Sequence, residues 1–305
     1  MSRGFQYGLL LVVLSGCSSS SGNESRWNYN RGGPPSESTP EYVDRGDFLI
    51  FDVVREGKGH IFRYDIPNHK QVQLTPDEFC DFAPIVSDDS EQMAFTRRAK
   101  GYQHIYIQKL STKESSYPAT TGRVLDTPLR FSSDNKSLYF LRTTWAGGRL
   151  LLPRRHLYRI DAPFTNSNPQ LLRNDAFDVS SEERNFVLKA GHSRGPVFSL
   201  VDSDGRALLT QDGFSPRLSP QGDKISWVEA FERGERIMFV EDPANQRVVK
   251  AALPFGVCTS PRFSATGKWI VYRVLRSENG AEPKIVILHS PDLAIFKEIP
   301  LDSER

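Results

Sequence analysis

The sequence has almost no net charge and no apolar run long enough to cross a membrane. Its 39 Lys and Arg residues nearly balance 37 Asp and Glu residues, which leaves a formal charge of +2. A chain this close to neutral gives no compositional reason to expect nucleic acid or an acidic polymer as a partner. The apolar run Leu9–Leu14 is far shorter than the roughly 20 residues of a membrane-spanning helix. Sustained helical periodicity and glycine-rich phosphate-binding loops are also missing, so neither a helical bundle nor a nucleotide-binding protein is indicated.

A repeated frame runs through the 305 residues instead. Its clearest copy is Pro261–Tyr272, in which Ser264 is taken as the anchor. The same pattern of Pro-x-aromatic-Ser, turn and apolar segment recurs with anchors 39 to 48 residues apart. The six anchors are Val43, Ser87, Ser132, Ser180, Ser219 and Ser264. A period in this range is typical of propellers and solenoids.

Each repeat predicts four β-strands: two within the frame, a third about nine residues later and a weaker outer strand such as Val72–Thr75 or Leu208–Thr210. The predicted third strands are His60–Tyr64, His104–Ile107, His156–Arg159, Val197–Leu200, Ile237–Val240 and Ile285–Leu288. One four-stranded sheet cannot bury both faces, but six can pack face to face around an axis. We therefore predict an all-β, six-bladed β-propeller of four-stranded antiparallel blades over residues 37–305. The ring could close by side-chain packing or by a terminal strand that crosses over.

At these motifs the chain resembles the propeller of the TolB family, over roughly residues 40–300. The resemblance is carried by the pattern of Pro261–Tyr272 and by the third strands that follow each copy. It implies the propeller fold, whereas related propellers serve functions as different as protein binding, peptidase gating and polysaccharide cleavage. TolB itself has an α/β domain before its propeller, and only a tether precedes the first repeat here. We therefore expect a TolB-like propeller rather than TolB.

The first 36 residues predict export and attachment to a membrane. Arg3 and the apolar run form a signal peptide, residues 1–16, and the segment Leu14–Cys17 resembles a bacterial lipobox. That resemblance implies cleavage before Cys17 and its lipidation, and several acyl chains give stable anchoring. An ordinary secretory peptide with a chance cysteine is the alternative. Residues 17–36 are rich in Ser, Gly and Asn and predict a flexible tether, in which Trp27 and Tyr29 are either idle or a short binding epitope.

The two other cysteines, Cys80 and Cys258, precede the first strands of the second and sixth repeats. An extracytoplasmic location would permit a disulfide. Because these repeats flank the first one, their loops should lie beyond the roughly 7 Å Cα separation that a disulfide allows. We expect two unpaired, largely buried thiols.

Histidine and serine recur at fixed repeat positions, and we interpret both as architectural. His60, His104 and His156 each begin a third strand, and equivalent positions on successive blades are too far apart to bind one metal ion. The anchor serines should bond the turns that follow them. We expect neither a metal site, a cofactor nor a nucleophilic catalytic residue.

Four aspartates, Asp81, Asp126, Asp175 and Asp212, occur in the loops that enter the predicted first strands, each two to four residues before the strand opens. If first strands line the channel, these carboxylates surround one mouth of it and could hold a cation, raise a carboxyl pKa or receive a basic segment. The alternative is that short polar loops are rich in Asp because it forms turns.

The third repeat has an insertion between its second and third strands. Phe140 and His156 are 16 residues apart, whereas the equivalent spacing in the first two repeats is 9. The insertion carries candidate partner-binding residues of the types enriched at interfaces: Trp145, Arg149, Leu151, Arg154 and Arg155. It should lie on the same face as the aspartates, unless its leucines fold back on their own blade.

The sequence thus predicts a monomeric envelope lipoprotein whose propeller is a non-catalytic platform for a protein or a peptide tail. Anchoring at Cys17 would place it on the periplasmic face of a bacterial membrane, and Ser18 after that cysteine favours the outer membrane. The competing hypothesis is a lyase or hydrolase that cleaves a glycan or lactone with the channel-mouth carboxylates. A structural component of an envelope assembly is a third.

Overall fold

The computed structural model describes residues 39–111, 115–146, 152–165, 168–190, 197–230, 236–245, 247–253, 257–258, 261–276, 283–290 and 292–301. The predicted signal peptide, Cys17 and the predicted tether lie outside these ranges. Within them, no helix has both the length and the apolar character needed to cross a membrane.

The chain folds into six antiparallel sheets that follow one another along the sequence, which confirms the predicted propeller. The first three sheets, blades 1 to 3, each have four strands in chain order. Their strands are β1 Glu41–Val43, β2 Phe48–Arg55, β3 Lys58–Asp65, β4 Lys70–Gln73; β5 Cys80–Val86, β6 Gln92–Ala99, β7 Tyr102–Lys109, β8 Tyr117–Pro118; and β9 Asp126–Phe131, β10 Ser137–Ala146, β11 Leu152–Asp161, β12 Gln170–Arg173.

Blades 4 and 5 repeat this order, and blade 6 differs only in its innermost strand. There two short segments, Val257–Cys258 and Arg262–Phe263, both pair with the second strand, Trp269–Arg276. The strands are β13 Ala176–Val179, β14 Asn185–Lys189, β15 Val197–Asp202, β16 Ala207–Asp212; β17 Phe214–Leu218, β18 Ile225–Ala230, β19 Arg236–Asp242, β20 Arg247–Leu253; and β21 Val257–Cys258, β22 Arg262–Phe263, β23 Trp269–Arg276, β24 Lys284–His289, β25 Ile295–Pro300.

The core lies between the blades. In β2, Phe48 and Ile50 pack towards blade 2, whereas Leu49 and Phe51 pack towards blade 6. Successive side chains of a strand point to opposite faces, and both faces of a blade are covered, so the second strands are almost continuously apolar. Each of the six junctions has its own buried cluster among the described residues.

Side-chain packing closes the ring between blades 6 and 1. No strand pairing joins these two sheets in the described part of the chain. Their shared cluster includes Tyr42 and Phe51 from blade 1 and Val271 from blade 6. Arg273 Nη1 also donates to the Asp52 carbonyl at 2.6 Å. Of the two closures that the sequence left open, the structure has the first.

The anchor serines fasten the turns between first and second strands, as predicted. Ser219 Oγ accepts a hydrogen bond from Lys224 N at 3.0 Å and donates to Asp223 Oδ1 at 2.6 Å. Ser132 Oγ accepts one from Ser137 N at 2.9 Å in the same way. All five anchor serines are buried. Their recurrence is therefore a property of the fold.

The expectation that Cys80 is an unpaired thiol is wrong, because Cys80 is disulfide-bonded. The sequence has only two other cysteines, Cys17 and Cys258, so one of them supplies the second sulfur. The prediction assumed that blades 2 and 6 are too far apart. First strands converge on the axis, however, and Arg262 Nη1 of blade 6 donates to the Pro84 carbonyl of blade 2 at 3.2 Å.

Candidate functional site: the channel and its two faces

The propeller has two different faces. The hairpin face carries the starts of the first strands and the hairpins between second and third strands. The turn face carries the turns closed by the anchor serines. Because the first strands run from one face to the other, a residue's place along its first strand decides which end of the channel it lines.

At the hairpin face, Asp81 and Asp126 are each locked to an arginine of the same blade. The strand register places Asp81 opposite Arg97 and Asp126 opposite Arg142. Arg97 donates from Nε and Nη2 to the two Asp81 oxygens at 2.7 and 2.8 Å. Arg142 donates in the same way, from Nε and Nη2 to the two Asp126 oxygens, at 2.8 Å each. Both aspartate side chains are 0% exposed, so neither presents a free carboxylate to the channel mouth.

Aromatic rings hold these arginines in place. The Arg97 guanidinium carbon lies 3.7 Å from the centroid of the Phe79 ring and 4.5 Å from that of Tyr106. Arg142 lies 4.8 Å from the Tyr158 centroid. Cation–π contacts of this kind stabilise a buried guanidinium. Phe79 is 38% exposed, so the hairpin face presents an aromatic ring backed by a cation.

Burial raises the pKa of Asp81 and of Asp126 above the ordinary value of 3.8, and the paired arginine opposes this shift in each case. Desolvation disfavours the charged form of a carboxyl group, whereas a close cation favours it. Such a raised pKa marks candidates for acid–base chemistry when the group is also in contact with a pocket. Here the bidentate pairing occupies both oxygens.

Asp175 and Asp212 have different surroundings. Asp175 precedes β13 with a φ of 49°, and its carbonyl accepts a hydrogen bond from Lys189 N at 2.8 Å. Asp212 ends the outer strand β16 and is exposed. Neither carboxylate belongs to an ion pair within the described residues. Of the four predicted aspartates, two are therefore neutralised by arginine, Asp175 is partly buried and Asp212 is exposed. A common ligand for them stays a prediction.

The hairpin of blade 3 is longer than those of blades 1 and 2. Its strands β10 and β11 pair from Ser137–Asp161 to Ala146–Leu152, ten residue pairs against eight in each of the first two blades. Arg154 is exposed and Arg155 partly buried. The insertion at 147–151, with Arg149 and Leu151, and the side chain of Trp145 lie outside the described part of the chain. Two extra pairs extend the hairpin by about 7 Å, at roughly 3.4 Å per residue.

The three equivalent histidines make local contacts. His104 Nε2 lies 2.7 Å from the Gly122 carbonyl, and His156 Nε2 lies 2.9 Å from Thr144 Oγ1. His60 Nδ1 is 3.8 Å from Asp77 Oδ1. Among the described residues, no group of three or more His, Cys, Asp or Glu side chains is placed to hold a metal ion.

One catalytic sequence pattern escaped the sequence analysis. Residues 191–195 read Gly-His-Ser-Arg-Gly, which fits the Gly-x-Ser-x-Gly pattern of hydrolase nucleophiles. That pattern carries a nucleophile when it connects a strand to a helix. Here it connects β14 to β15, which pair as an antiparallel hairpin. The residues themselves lie outside the described ranges, and their setting does not favour a nucleophile elbow.

At the turn face, the channel contains a ring of charged residues that the sequence analysis also missed. A cavity of about 490 Å³, counted with its part open to solvent, is lined by first-strand and turn residues of all six blades. The residue two positions before each anchor contributes to its wall. In blade order these residues are Glu41, Ile85, Arg130, Asp178, Arg217 and Arg262. We call them the channel ring. The signal was present in the sequence as the variable residue of the Pro-x-aromatic-Ser frame.

Four members of the channel ring form two ion pairs between blades. Arg262 Nη1 lies 2.9 Å from Glu41 Oε2. Arg130 Nη2 lies 3.0 Å from both Asp178 oxygens and also donates to the Leu218 carbonyl at 2.8 Å. Burial raises the pKa of Glu41 above 4.5, with Arg262 acting in the opposite direction. These pairs connect neighbouring blades across the channel wall.

Comparisons with known proteins support the fold. No protein-family profile matches the sequence, and no curated protein does. Among solved structures, TolB from Acinetobacter baumannii is similar with a TM-score of 0.62 and 19% identity, over 89% of this chain and 66% of that one. The present chain thus spans about two thirds of that TolB chain. An oligogalacturonate lyase from Vibrio parahaemolyticus is similar with a TM-score of 0.53 and 15% identity, over 88% of this chain and 80% of that one.

A second oligogalacturonate lyase, solved in complex with manganese, also has a TM-score of 0.53 and 15% identity, over 88% of this chain and 77% of that one. At these identities the likeness concerns the fold alone. The chain has a TolB-like six-bladed propeller fold, and its function has to be argued from its own surfaces.

Proposed function

We propose that this chain is a lipid-anchored envelope protein whose propeller binds another protein through its hairpin face without catalysing a reaction. The observation that carries the proposal is the extended blade 3 hairpin, which projects beside a mouth where the buried carboxylates of Asp81 and Asp126 are neutralised by arginine. A projecting hairpin with an exposed arginine, together with the exposed Phe79 ring over Arg97, has the composition of a protein-binding hot spot.

The same geometry argues against the glycan-cleaving alternative. Catalysis by a carboxyl pair needs one group free to donate a proton and another free to attack or to activate water. Both oxygens of Asp81 and both of Asp126 are held by arginine. The similarity to two oligogalacturonate lyases nevertheless makes lyase activity the second hypothesis to test.

The binding proposal is tested by crosslinking in membranes and purification of the crosslinked partner. One variant replaces residues 147–151 by Asn-Gly, a two-residue turn suited to join the paired ends Ala146 and Leu152. A second variant is Arg154→Glu. The control is Arg184→Glu, because this exposed arginine lies in the blade 4 turn on the opposite face. We expect one envelope protein to be lost with both hairpin variants and retained with the control. A partner retained by all variants contradicts a role for this hairpin.

Two further measurements address the anchor and the enzymatic alternative. The Cys17→Ser variant should move from the membrane fraction to the soluble periplasmic fraction, since it removes the thiol that carries the lipid. If the wild-type protein is found in the soluble fraction, the proposed lipid anchor is wrong. For the alternative, incubation with oligogalacturonate, with and without manganese, should give no unsaturated product; formation of that product, abolished by Asp81→Asn or Asp126→Asn, would replace the binding proposal.

A further inference from the structure

The channel ring has three arginines and two carboxylates, so one cation has no acid of its own. Glu41 pairs with Arg262 and Asp178 pairs with Arg130. Asp178 is saturated further by the backbone N–H groups of Val179 and Leu218, which donate to its oxygens at 2.8 Å each. The remaining cation is Arg217.

Arg217 makes one weak contact within the described residues. Its Nη1 donates to the Phe177 carbonyl at 3.4 Å, near the upper limit for a hydrogen bond. A guanidinium has five N–H donors, so most of those of Arg217 are available to a ligand. The side chain is partly exposed and lines the cavity.

Besides burial, three arginines and one carboxylate act on the pKa of Arg217. Burial lowers its pKa to about 10, and Arg262, Arg155 and Arg130 act in the same direction, while Asp178 alone among the main contributors opposes them. With a pKa of about 10, Arg217 is still charged at neutral pH. The attraction of a bound anion would offset both the desolvation and the repulsion from the other arginines.

Donors also outnumber acceptors in the ring next to Arg217. Nε and Nη1 of Arg130 are buried and have no hydrogen-bond partner among the described atoms. A buried donor without a partner is costly. A ligand that brings acceptor oxygens is therefore the chemistry that this wall lacks.

The other carboxylate in the cavity wall, Asp88, does not neutralise Arg217. It belongs to blade 2, opposite blade 5 in a ring of six. The cations that act on its pKa are Arg45 and Arg130, while burial has the larger effect and raises it. Its carbonyl accepts a hydrogen bond from Arg45 Nη1 at 3.0 Å. Because Asp88 is an acidic group in the same cavity wall, it disfavours a highly charged anion. We therefore expect a small anion with a single charge.

We propose that the turn-face end of the channel is a carboxylate-binding site in which Arg217 holds the carboxylate of an incoming ligand. A planar carboxylate matches the paired donors of a guanidinium. The cavity of about 490 Å³ includes space that is open to solvent, so the carboxylate of a small organic acid or of a peptide C terminus can reach Arg217 from outside while the rest of the ligand stays at the mouth. The site lies at the opposite end of the channel from the proposed protein-binding face, so it goes beyond that proposal and stands without it.

Isothermal titration calorimetry tests the site at about 10 mM salt, where charge screening is weak. The probes are sodium acetate and N-acetyl-trialanine with a free or an amidated C terminus. Wild-type protein should bind acetate, the free-carboxylate peptide or both, and should not bind the amide. The Arg217→Gln variant should bind at least about tenfold more weakly, the loss expected when a charged hydrogen bond is removed. Equal affinity for acetate and peptide identifies a small acid as the ligand class, whereas binding of the peptide alone identifies a chain terminus.

The matched control is Arg184→Gln, which removes an exposed arginine, 71% accessible in its side chain, from the turn face of blade 4. It should leave both affinities unchanged. The proposal is overturned if neither probe binds the wild type, if the amide binds as well as the acid, or if Arg217→Gln binds as tightly as the wild type. A thermal-shift comparison of acetate with acetamide on unaltered protein covers the case in which Arg217→Gln fails to fold: only acetate should raise the melting temperature, and an equal effect of both overturns the proposal.

Discussion

Replacing Asp81 by Leu should destabilise the propeller by about 3–5 kcal/mol, because it leaves the Arg97 guanidinium buried without its carboxylate. Leu keeps the branching and heavy-atom count of Asp, so little of this effect comes from a cavity. The two side chains are 0% and 8% exposed, and solvent cannot replace the lost acceptors. For a chain of this size, where 1 kcal/mol corresponds to roughly 2–4 °C, the melting temperature should fall by roughly 6–20 °C.

A double-mutant cycle separates the pair from the individual side chains. Arg97→Met should also destabilise, since it leaves the Asp81 carboxylate buried, although Met keeps contact with the Phe79 and Tyr106 rings. The combined Asp81→Leu and Arg97→Met variant should regain much of the loss, with a coupling of at least about 2 kcal/mol, because a buried ion pair is often replaceable by apolar residues of similar size. Urea unfolding followed by tryptophan fluorescence gives the free energies.

The control is an ion pair of the same length on the surface. Lys284 Nζ and Glu298 Oε1 are 2.7 Å apart, with side chains 29% and 42% exposed. Glu298→Gln should cost less than about 1 kcal/mol. If Asp81→Leu is as mild as this control, or if the double variant is no better than the two single ones combined, the reasoning that burial makes this pair essential is refuted.

Four other predictions test the fold and the channel. Gly59→Ala should lower the melting temperature by several degrees in a thermal scan, because a Cβ there would lie 2.5 Å from the Asp81 carbonyl oxygen; Gly205→Ala, where a Cβ meets no atom within 4 Å, should cost only about 1 kcal/mol for its positive φ. Arg273→Met should weaken ring closure because it loses the hydrogen bond to the Asp52 carbonyl. Relative to the wild type, hydrogen exchange should accelerate more in β1 and β2 than in blades 3 and 4. Peptide mapping without reduction should show Cys80 joined to another cysteine, and a free Cys80 thiol in the exported protein would contradict the structure. Acetate binding should be constant around neutral pH and weaken above about pH 10, because Arg217 has a pKa lowered to about 10 and loses its charge as the pH rises through that value.

The strands were predictable because their signal repeats. The predicted third strand His104–Ile107 lies inside the observed strand Tyr102–Lys109. The extra residues at its ends are polar, and they belong to the strand because the hairpin ladder continues past the buried segment. Six repeated copies identified the propeller more securely than any one copy could. Each strand is short, and the usual alternation of apolar and polar side chains is lost where both faces of the strand are buried.

The pairing of Asp81 and Asp126 was not predicted, although the sequence contains a signal for it. The partner arginine follows 16 residues later in both blades, which is the distance that returns the chain to the same rung of the hairpin. The aspartates were interpreted as members of a ring because they were compared between blades. Their actual partners lie within each blade, at the register position directly opposite.

The positions that vary between repeats are the ones on which function can depend in this fold. The anchor is Ser in five of six copies because it has the same turn to close in each, and its replacement would damage the blade. The residue two positions earlier is Glu, Ile, Arg, Asp, Arg and Arg in successive copies, and of these only Ile85 belongs to a buried cluster between blades. The fold thus needs this position to be occupied but does not specify its chemistry. Arg217 has no ion-pair partner among the described residues, and it is the member of this set on which the proposed carboxylate site depends.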